Sequence, residues 1–239
     1  MNIKAILFDL DGTLLPMDLD VFINEYFKGI SEKLVPYGYN PKELINAIML
    51  GTKAMIKNDG ELTNEQVFWK SFCSVMGEQC KDDEPIFDDY YKTDFIKTKS
   101  VCGYNDLVPF IVKTIKDYGI KMVLATNPIF PAAATERRMK WAGVCPEDFE
   151  FYTTYENSRF SKPNIRYYED IVKQLGVDYE ECLMIGNDVS DDMVAKELGI
   201  NVFLLTDDLI NKGNVDISQF PNGNFKDLIE FLKENCFVK

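Results

Sequence analysis

The chain begins with an apolar, β-branched run that predicts a buried strand, Ile3 to Phe8. The run ends in two carboxylates, Asp9 and Asp11, and Gly12 follows them directly. In a doubly wound sheet, ligands bind beyond the carboxyl ends of the strands, so these acids are expected at a binding crevice. Two carboxylates one residue apart need a cation, which predicts a hard metal such as Mg2+. Taken alone, the pair also fits a strand that ends in solvated acids.

Helical periodicity replaces the strand pattern from about residue 18 to residue 95, where apolar side chains recur every three or four positions. Two helix starts carry capping signals, Asn40 before Pro41 and Thr63 with Gln66. The acidic stretch 81–85 is predicted to be a solvated loop. Lys53, Lys57 and Asn58 are interpreted as solvated helix surface rather than as groups that reach a substrate.

Strands and helices alternate after residue 105, and a glycine closes most of the helices. Strands are predicted at 120–125, 149–154, 182–186 and 202–205, and helices at 106–118, 131–142, 165–175, 191–198 and 225–234. This alternation predicts an α/β fold with a doubly wound parallel sheet. Residues 1–16 and 100–239 would form the α/β core, and residues 17–99 a helical cap domain inserted after the first strand, lying over its carboxyl end.

Composition narrows the chemistry of this 239-residue chain. The formal net charge of −13 argues against nucleic acid or an anionic membrane surface as a partner. The absence of histidine excludes Ser-His-Asp and Cys-His catalysis, so acid–base chemistry must use carboxylates, Lys, Tyr or Cys. The six cysteines are scattered, and their even number does not by itself indicate a disulfide framework. Neither a signal peptide nor a membrane span is predicted, and a cytoplasmic location is expected.

Polar residues also follow the later strands, at the edge where the first strand ends. Thr126 and Asn127 follow the second strand and could donate to phosphate oxygens, although they also fit an ordinary turn. Lys162 precedes Pro163, which keeps it extended, and could project its ammonium into the crevice or into solvent. Each signal is weak alone, but their joint occurrence at successive strand ends indicates one binding site.

Three more carboxylates follow the strand at 182–186, at Asp188, Asp191 and Asp192. Acids at a helix start can simply complement the helix dipole, and this explanation is strong for Asp191 and Asp192. It is weaker for Asp188, which lies nearest the strand end. Asp188 is therefore the candidate metal ligand beside Asp9.

These motifs together resemble the haloacid dehalogenase-like hydrolases over the whole α/β core. Asp9 to Thr13 resembles the family's first motif. Thr126 with Asn127 resembles the second, Lys162 with Pro163 the third, and the run from Asn187 to Asp192 the fourth. The resemblance implies that Asp9 is a nucleophile that forms an aspartyl-phosphate. It implies that Asp11 protonates the leaving oxygen and then activates water, with its backbone carbonyl on Mg2+. Thr126 and Asn127 would bind phosphate, Lys162 would neutralise charge there, and Asp188 would complete the metal site with Asp9.

The fourth motif departs from the family's usual Gly-Asp-x-x-x-Asp form and can be matched in two registers. One register places Asp188 and Asp192 on the two acids, with Asn187 at the glycine position. The other aligns Gly186 with the glycine, which leaves Asn187 at the ligand position and Asp191 as the second acid. We favour the first register because it keeps a carboxylate for the metal, and either Asp192 or Asp191 would support it.

The resemblance implies a Mg2+-dependent phosphatase with a helical cap, acting on a small phosphorylated metabolite. Dehalogenases of the family lack the second aspartate, so Asp11 points to phosphate esters. A phosphomutase of the β-phosphoglucomutase kind is the nearest alternative, because it uses the same nucleophile and acid. A non-catalytic binding or regulatory protein on the same fold is an alternative of another class. The oligomeric state is not set by the sequence.

Overall fold

A six-stranded sheet forms the centre of the fold in a computed structural model that describes residues 1–237, apart from the side chains of Glu78 and Gln79. All paired strands run parallel, in the order β3-β2-β1-β4-β5-β6. The predicted doubly wound α/β fold is confirmed. The strands are β1 Ala5–Phe8, β2 Lys121–Leu124, β3 Phe151–Tyr152, β4 Cys182–Gly186, β5 Asn201–Leu205 and β6 Asn222–Gly223.

Within residues 1–237 the chain forms eight α-helices, five of which come between β1 and β2 in the sequence. They are α1 Leu19–Leu34, α2 Pro41–Ile56, α3 Asn64–Met76, α4 Glu84–Lys92, α5 Leu107–Asp117, α6 Ala132–Ala142, α7 Ile165–Leu175 and α8 Phe225–Asn235. Both predicted helix starts are present. The Asn40 side chain accepts two backbone N–H groups of α2, and Thr63 and Gln66 form a reciprocal capping box on α3.

Three local predictions were wrong or incomplete. The stretch 81–85 is not a loop, because a 3-10 helix, Glu78–Asp83, leads directly into α4. Pro85 in the first turn favours a helix start there, and the apolar residues that follow bury one face of α4. The helix predicted at 191–198 is a short 3-10 helix, Met193–Leu198. The edge strand β6 was missed because its two residues carry no apolar pattern.

Buried side chains alternate between the two faces of β1, as expected for a strand covered on both sides. Ile6 and Phe8 belong to one hydrophobic cluster, and Ala5 and Leu7 belong to the other. The first cluster continues into the helices between β1 and β2, where aromatic rings meet at centroid distances of about 5–6 Å. The division into a core and a cap domain stays a prediction.

Two further observations bear on expectations from the sequence. A disulfide that the scattered cysteines did not predict joins Cys73 and Cys80, whose Cα atoms are 5.7 Å apart. Among residues 1–237, none of the helices combines the length and the apolar character that crossing a membrane requires.

Candidate active site

The site lies between β1 and β4, where the order in which the chain adds strands to the sheet reverses. β1 pairs with β2 on one side and with β4 on the other, so the chain leaves these neighbouring strands toward opposite halves of the sheet. A crevice opens at such a switch point, beyond the carboxyl ends of the strands. Asp9 follows β1 and its backbone N–H donates to the carbonyl of Ile185 in β4, which places its carboxylate at this crevice.

The turn after β1 requires glycine at position 12. Gly12 has a φ of 79°, and a Cβ there would lie 2.2 Å from the Asn187 side chain. Both the backbone conformation and the close approach exclude a larger residue. The Thr13 hydroxyl lies 3.3 Å from Asp9 Oδ2 and 3.1 Å from Asn187 Oδ1, so its one hydrogen can be donated to either. Asn187 thereby connects the first motif to the fourth.

Lys162 lies between two carboxylates and is almost fully buried. Its Nζ is 2.9 Å from Asp9 Oδ1 and 2.6 Å from Asp192 Oδ1. Burial opposes the charge, but the carboxylates of Asp192 and Asp9 outweigh it, so the pKa of Lys162 lies well above its ordinary value. The side chain is therefore a fixed cation at the Asp9 carboxylate.

The three acids of the fourth motif have different surroundings. Asp192 is buried against Gly186, binds Lys162, and accepts the backbone N–H of Asp188 through Oδ2 at 3.0 Å. Asp188 Oδ1 accepts the N–H groups of residues 190 and 191, which fixes the turn. Asp191 accepts the Asn127 amide at 3.1 Å, and burial raises its pKa. Asp192 thus contacts both Lys162 and Asp188, whereas Asp191 contacts Asn127.

Thr126 and Asn127 follow β2 directly, on the far side of Asp9 from β4. The Thr126 carbonyl accepts the hydroxyls of Thr153 and Tyr167, at 2.7 and 2.9 Å, which holds the backbone at the strand end. The Asn127 amide donates to Asp191, and its Oδ1 is buried without a hydrogen-bond partner in the described part of the chain.

Asp11 forms a buried ion pair with Arg138, a residue that the sequence analysis missed. Arg138 lies on α6, is 1% exposed, and stacks over the Phe130 ring at 4.5 Å. Burial raises the pKa of Asp11 to about 6, against the opposing effect of Arg138. A signal for Arg138 was available: it follows Ala134 and Thr135 by four and three residues, on the buried face of the helix. An arginine on such a face needs an anionic partner.

Asn64, at the start of α3, connects the helical segment to the loop that carries Lys162. Its side-chain amide is completely buried and donates to the Pro128 carbonyl and the Ser161 hydroxyl, both at 3.1 Å. Asn58 donates to Asn64 Oδ1 at 2.9 Å and is itself buried. The interpretation of Asn58 as solvated surface was therefore wrong, because it belongs to this network. Lys57 is exposed, as expected.

One cavity of about 150 Å3 brings together the candidate catalytic, phosphate-binding and metal-binding residues. Its lining includes Asp9, Asp11, Thr126, Asn127, Lys162, Asp188, Asp191 and Asp192. Five carboxylates therefore surround a single lysine, with Arg138 behind Asp11. This excess of negative charge favours a bound cation, because burial makes uncompensated carboxylates costly.

The side chains that line the cavity suit Mg2+, which takes only part of its ligands from the protein, better than a metal that the protein alone must hold. Within residues 1–237, no three His, Cys, Asp or Glu side chains are grouped so as to hold a metal by themselves. Mg2+ usually takes one or two carboxylates, with water and substrate phosphate completing the shell. Asp9 and Asp188 line the cavity, and Oδ1 of Asp11 is buried without a partner among the described residues.

Comparisons with known proteins give related sequences and related folds. The pyrophosphatase PpaX of Halalkalibacterium halodurans is 25% identical over 201 residues, which are 84% of this chain and 82% of that protein. A HAD phosphatase from Thermococcus onnurineus has a TM-score of 0.57 at 18% identity and covers 97% of each chain. A Thermotoga maritima structure provisionally named a β-phosphoglucomutase also has a TM-score of 0.57 at 18% identity, covering 98% of this chain and 100% of that one.

The two solved structures show only that the fold is shared, because sequence identities of 18% are too low to transfer an activity to this chain. The family model gives the stronger result. The model for haloacid dehalogenase-like hydrolases matches residues 3–199, which run from the first strand past the fourth motif. The resemblance drawn from the motifs is confirmed: the chain belongs to the haloacid dehalogenase-like hydrolases.

Proposed function

We propose that this enzyme is a Mg2+-dependent phosphomonoester hydrolase that acts on a small phosphorylated metabolite in the cytoplasm. One observation carries the proposal: a single cavity at the β1–β4 switch point gathers Asp9, Asp11, Thr126, Lys162 and Asp188. Phosphoryl transfer depends mainly on positioning and on charge neutralisation, and this set supplies both.

Asp9 would act as the nucleophile. Its carboxylate attacks phosphorus, the bond from phosphorus to the substrate oxygen breaks, and an aspartyl-phosphate forms. Asp11 gives its proton to the departing alkoxide. In the second step Asp11 takes a proton from water, the water oxygen attacks phosphorus, and the Asp9 carboxylate is released with inorganic phosphate. Each proton that Asp11 loses in the first step is regained in the second.

Lys162 and Thr126 would bind the phosphoryl group. The Lys162 ammonium, 2.9 Å from Asp9 Oδ1, offsets the repulsion between the carboxylate and the phosphate. Asp192 would hold Lys162 in place from its other side, at 2.6 Å. Thr126 and Asn127 line the same cavity from the end of β2 and offer polar side chains to the phosphate oxygens.

Asp9, Asp188 and the backbone carbonyl of Asp11 would hold Mg2+. When bound, the ion would neutralise the negative charge that collects on the phosphoryl oxygens. The excess of carboxylates in the cavity supports this assignment. Asp192, which binds Lys162 and the Asp188 backbone, is the better supporting acid in this proposal.

Phosphate release from a panel of phosphomonoesters tests the proposal, with Mg2+ and with EDTA in its place. We expect steady, multiple-turnover release that stops with EDTA and returns when Mg2+ is added. Isomerisation of a sugar phosphate that needs a bisphosphate primer, without net phosphate release, would instead support the mutase alternative. Binding of phosphorylated ligands without turnover of any ester would support a non-catalytic protein.

A further inference from the structure

A second cavity, of about 280 Å3, lies among α1 to α4 and the loop after β2. Its walls are rich in aromatic side chains, including Phe27, Phe68, Trp69, Phe87 and Phe130. Trp69 and Phe87 pack edge to face with centroids 5.2 Å apart. None of the residues placed above in the phosphoryl-transfer machinery lines this cavity.

Most hydroxyl groups of the cavity wall already form hydrogen bonds within the protein. The hydroxyls of Tyr26 and Tyr91 are 2.8 Å apart and bond each other. The Thr52 hydroxyl donates to the carbonyl of Ile48 in its own helix at 3.0 Å. The charged groups, Lys53 and Asp88, are exposed and lie at the rim rather than inside. Apart from the buried indole N–H of Trp69, the interior therefore offers a ligand mainly apolar and aromatic contact.

This cavity adjoins the catalytic cavity, because Ile23, Ile129 and Phe130 line both. The shared wall lies on the side of Asp11, since the Arg138 guanidinium that pairs with Asp11 stacks on the Phe130 ring. In the proposed reaction Asp11 protonates the leaving oxygen. The second cavity is thus on the side of the site where the substrate alcohol departs.

We propose that the second cavity binds the alcohol portion of the substrate, and that this portion carries an aromatic ring. This inference rests on the proposed phosphatase function and names its substrate class. An apolar cavity of about 150 Å3 can hold benzene, so a volume of about 280 Å3 accommodates a ring with a short linker or a fused ring pair.

A sugar phosphate fits this cavity poorly. Its hydroxyl groups would lose hydrogen bonds to water, and the occupied wall hydroxyls would not replace them. Unpaired polar groups in such a site carry a large penalty, whereas a ring gains from burial and from edge-to-face packing. The chemistry of the wall therefore selects an aryl or arylalkyl phosphate over a polyhydroxylated one.

The first test compares 2-phenylethyl phosphate with glycerol 3-phosphate, two esters of primary alcohols, for Mg2+-dependent phosphate release. We expect kcat/KM to be at least about 10-fold higher for the phenylethyl ester, mainly through a lower KM. Butyl phosphate separates aromatic from merely apolar recognition, and it should fall between the two. Equal or higher kcat/KM for glycerol 3-phosphate would overturn the inference, and butyl phosphate hydrolysed as well as the phenylethyl ester would overturn its aromatic part.

A matched pair of variants locates the effect. Thr52 and Thr114 are both half-buried, within helices, and bonded through their hydroxyls to a carbonyl four residues earlier, but only Thr52 lines the cavity. Thr52→Trp should fill the cavity and remove the preference for 2-phenylethyl phosphate, with hydrolysis of glycerol 3-phosphate changed less than about 3-fold. Thr114→Trp should keep the preference. An unchanged preference in folded Thr52→Trp would overturn the location.

Binding of neutral 2-phenylethanol separates this inference from the proposed function. Because Trp69 lines the cavity, the alcohol should change the intrinsic fluorescence of the wild type, and folded Thr52→Trp should bind it at least about 10-fold more weakly. If no ester is hydrolysed, the phosphatase proposal fails, and this titration still decides whether the cavity takes an aromatic group. If Thr52→Trp does not fold, Ile56→Asp at the cavity rim replaces it, with equally exposed Ile96→Asp as the control.

Discussion

Asp9 is held from two directions before any substrate arrives. Lys162 Nζ lies 2.9 Å from one carboxylate oxygen, and the Thr13 hydroxyl lies 3.3 Å from the other. The carboxylate is thereby kept in one orientation at the end of β1. A group in a fixed orientation loses little entropy on reaching its reactive geometry, which suits a nucleophile.

Asp9→Asn should therefore abolish turnover while the fold is kept. An amide has the shape of the carboxylate but is a poor nucleophile, and Lys162 retains Asp192 as its partner. We expect phosphate release to fall by at least about 1,000-fold, with an unchanged circular dichroism spectrum. Asp59→Asn, at an exposed position, is the control. Normal hydrolysis by Asp9→Asn would exclude Asp9 as the nucleophile.

We predict that Arg138, through its ion pair, positions Asp11. Arg138→Met should destabilise the fold by about 3 kcal/mol, because it leaves a largely buried carboxylate without its cation. Since Arg138 lowers the pKa of Asp11, that pKa should rise above about 6 in the variant. The pH at which kcat/KM falls as Asp11 loses its proton should then move upward.

Arg138→Lys keeps the positive charge and should recover part of both the stability and the pH profile. Urea denaturation and kcat/KM measured across the pH range check the two effects. A pH profile that is the same in wild type, Arg138→Met and Arg138→Lys would show that Arg138 only packs against Phe130.

Sequence patterns predicted site residues near strand ends better than residues whose contacts at the site are distant in the sequence. Asp9 and Lys162 were predicted because they directly follow or precede recognisable elements. Arg138 and Asn64 were missed, since their partners lie 127 and 97 residues away in the sequence, at Asp11 and Ser161. Pairing over such separations is set by the fold and leaves only a local hint, a polar side chain at a buried helical position.

At the scale of elements, the first turn of α3 is hydrogen-bonded to the loop that follows β3. The backbone N–H groups of Asn64 and Glu65 donate to the carbonyls of Ser158 and Tyr155, each at 2.8 Å. The Asn64 side chain adds its bonds to the Pro128 carbonyl and the Ser161 hydroxyl. Because Ser161 precedes Lys162, the start of α3 helps to place the lysine.

Asn64→Leu should weaken this connection. The buried groups that it bonds would lose their partners, at a cost of about 3 kcal/mol in the free energy of unfolding. We expect kcat to fall about 10-fold as well, since Lys162 would be placed less accurately. Thr63→Ala removes only the helix cap, and should cost about 1 kcal/mol with kcat unchanged. Equal kcat in wild type and Asn64→Leu would contradict a role in placing Lys162.

Helices were predicted correctly where the spacing of apolar residues and a helix-ending glycine indicated the same boundary. The helix α7 was bounded correctly, because an amphipathic run ends at Gly176, whose φ is 66°. The loop prediction for 81–85 failed because its acids suggested a solvated loop, whereas Pro85 lies in the first turn of α4 and the apolar residues after it pack inward. Charge in a first helical turn is compatible with a helix, so charge alone was a poor guide.

At the scale of the whole molecule, two adjoining cavities offer different contacts, one mainly charged and the other mainly apolar and aromatic. The cavity proposed for catalysis gathers carboxylates and Lys162 at the switch point of the sheet, which the motifs at successive strand ends made predictable. The aromatic cavity depends on how four helices and the loop after β2 come together. No local pattern encodes that arrangement, so its shape was beyond the sequence.

The most direct test of the central claim is mass spectrometry of the acid-quenched enzyme during turnover of a phosphomonoester with Mg2+. If Asp9 is the nucleophile, a phosphoryl group is expected on the peptide that contains Asp9, and it should be lost when the quench is delayed until substrate is exhausted. The same peptide in Asp9→Asn should stay unmodified. Steady phosphate release with no phosphorylated peptide, or with the phosphoryl group on another residue, would contradict the account.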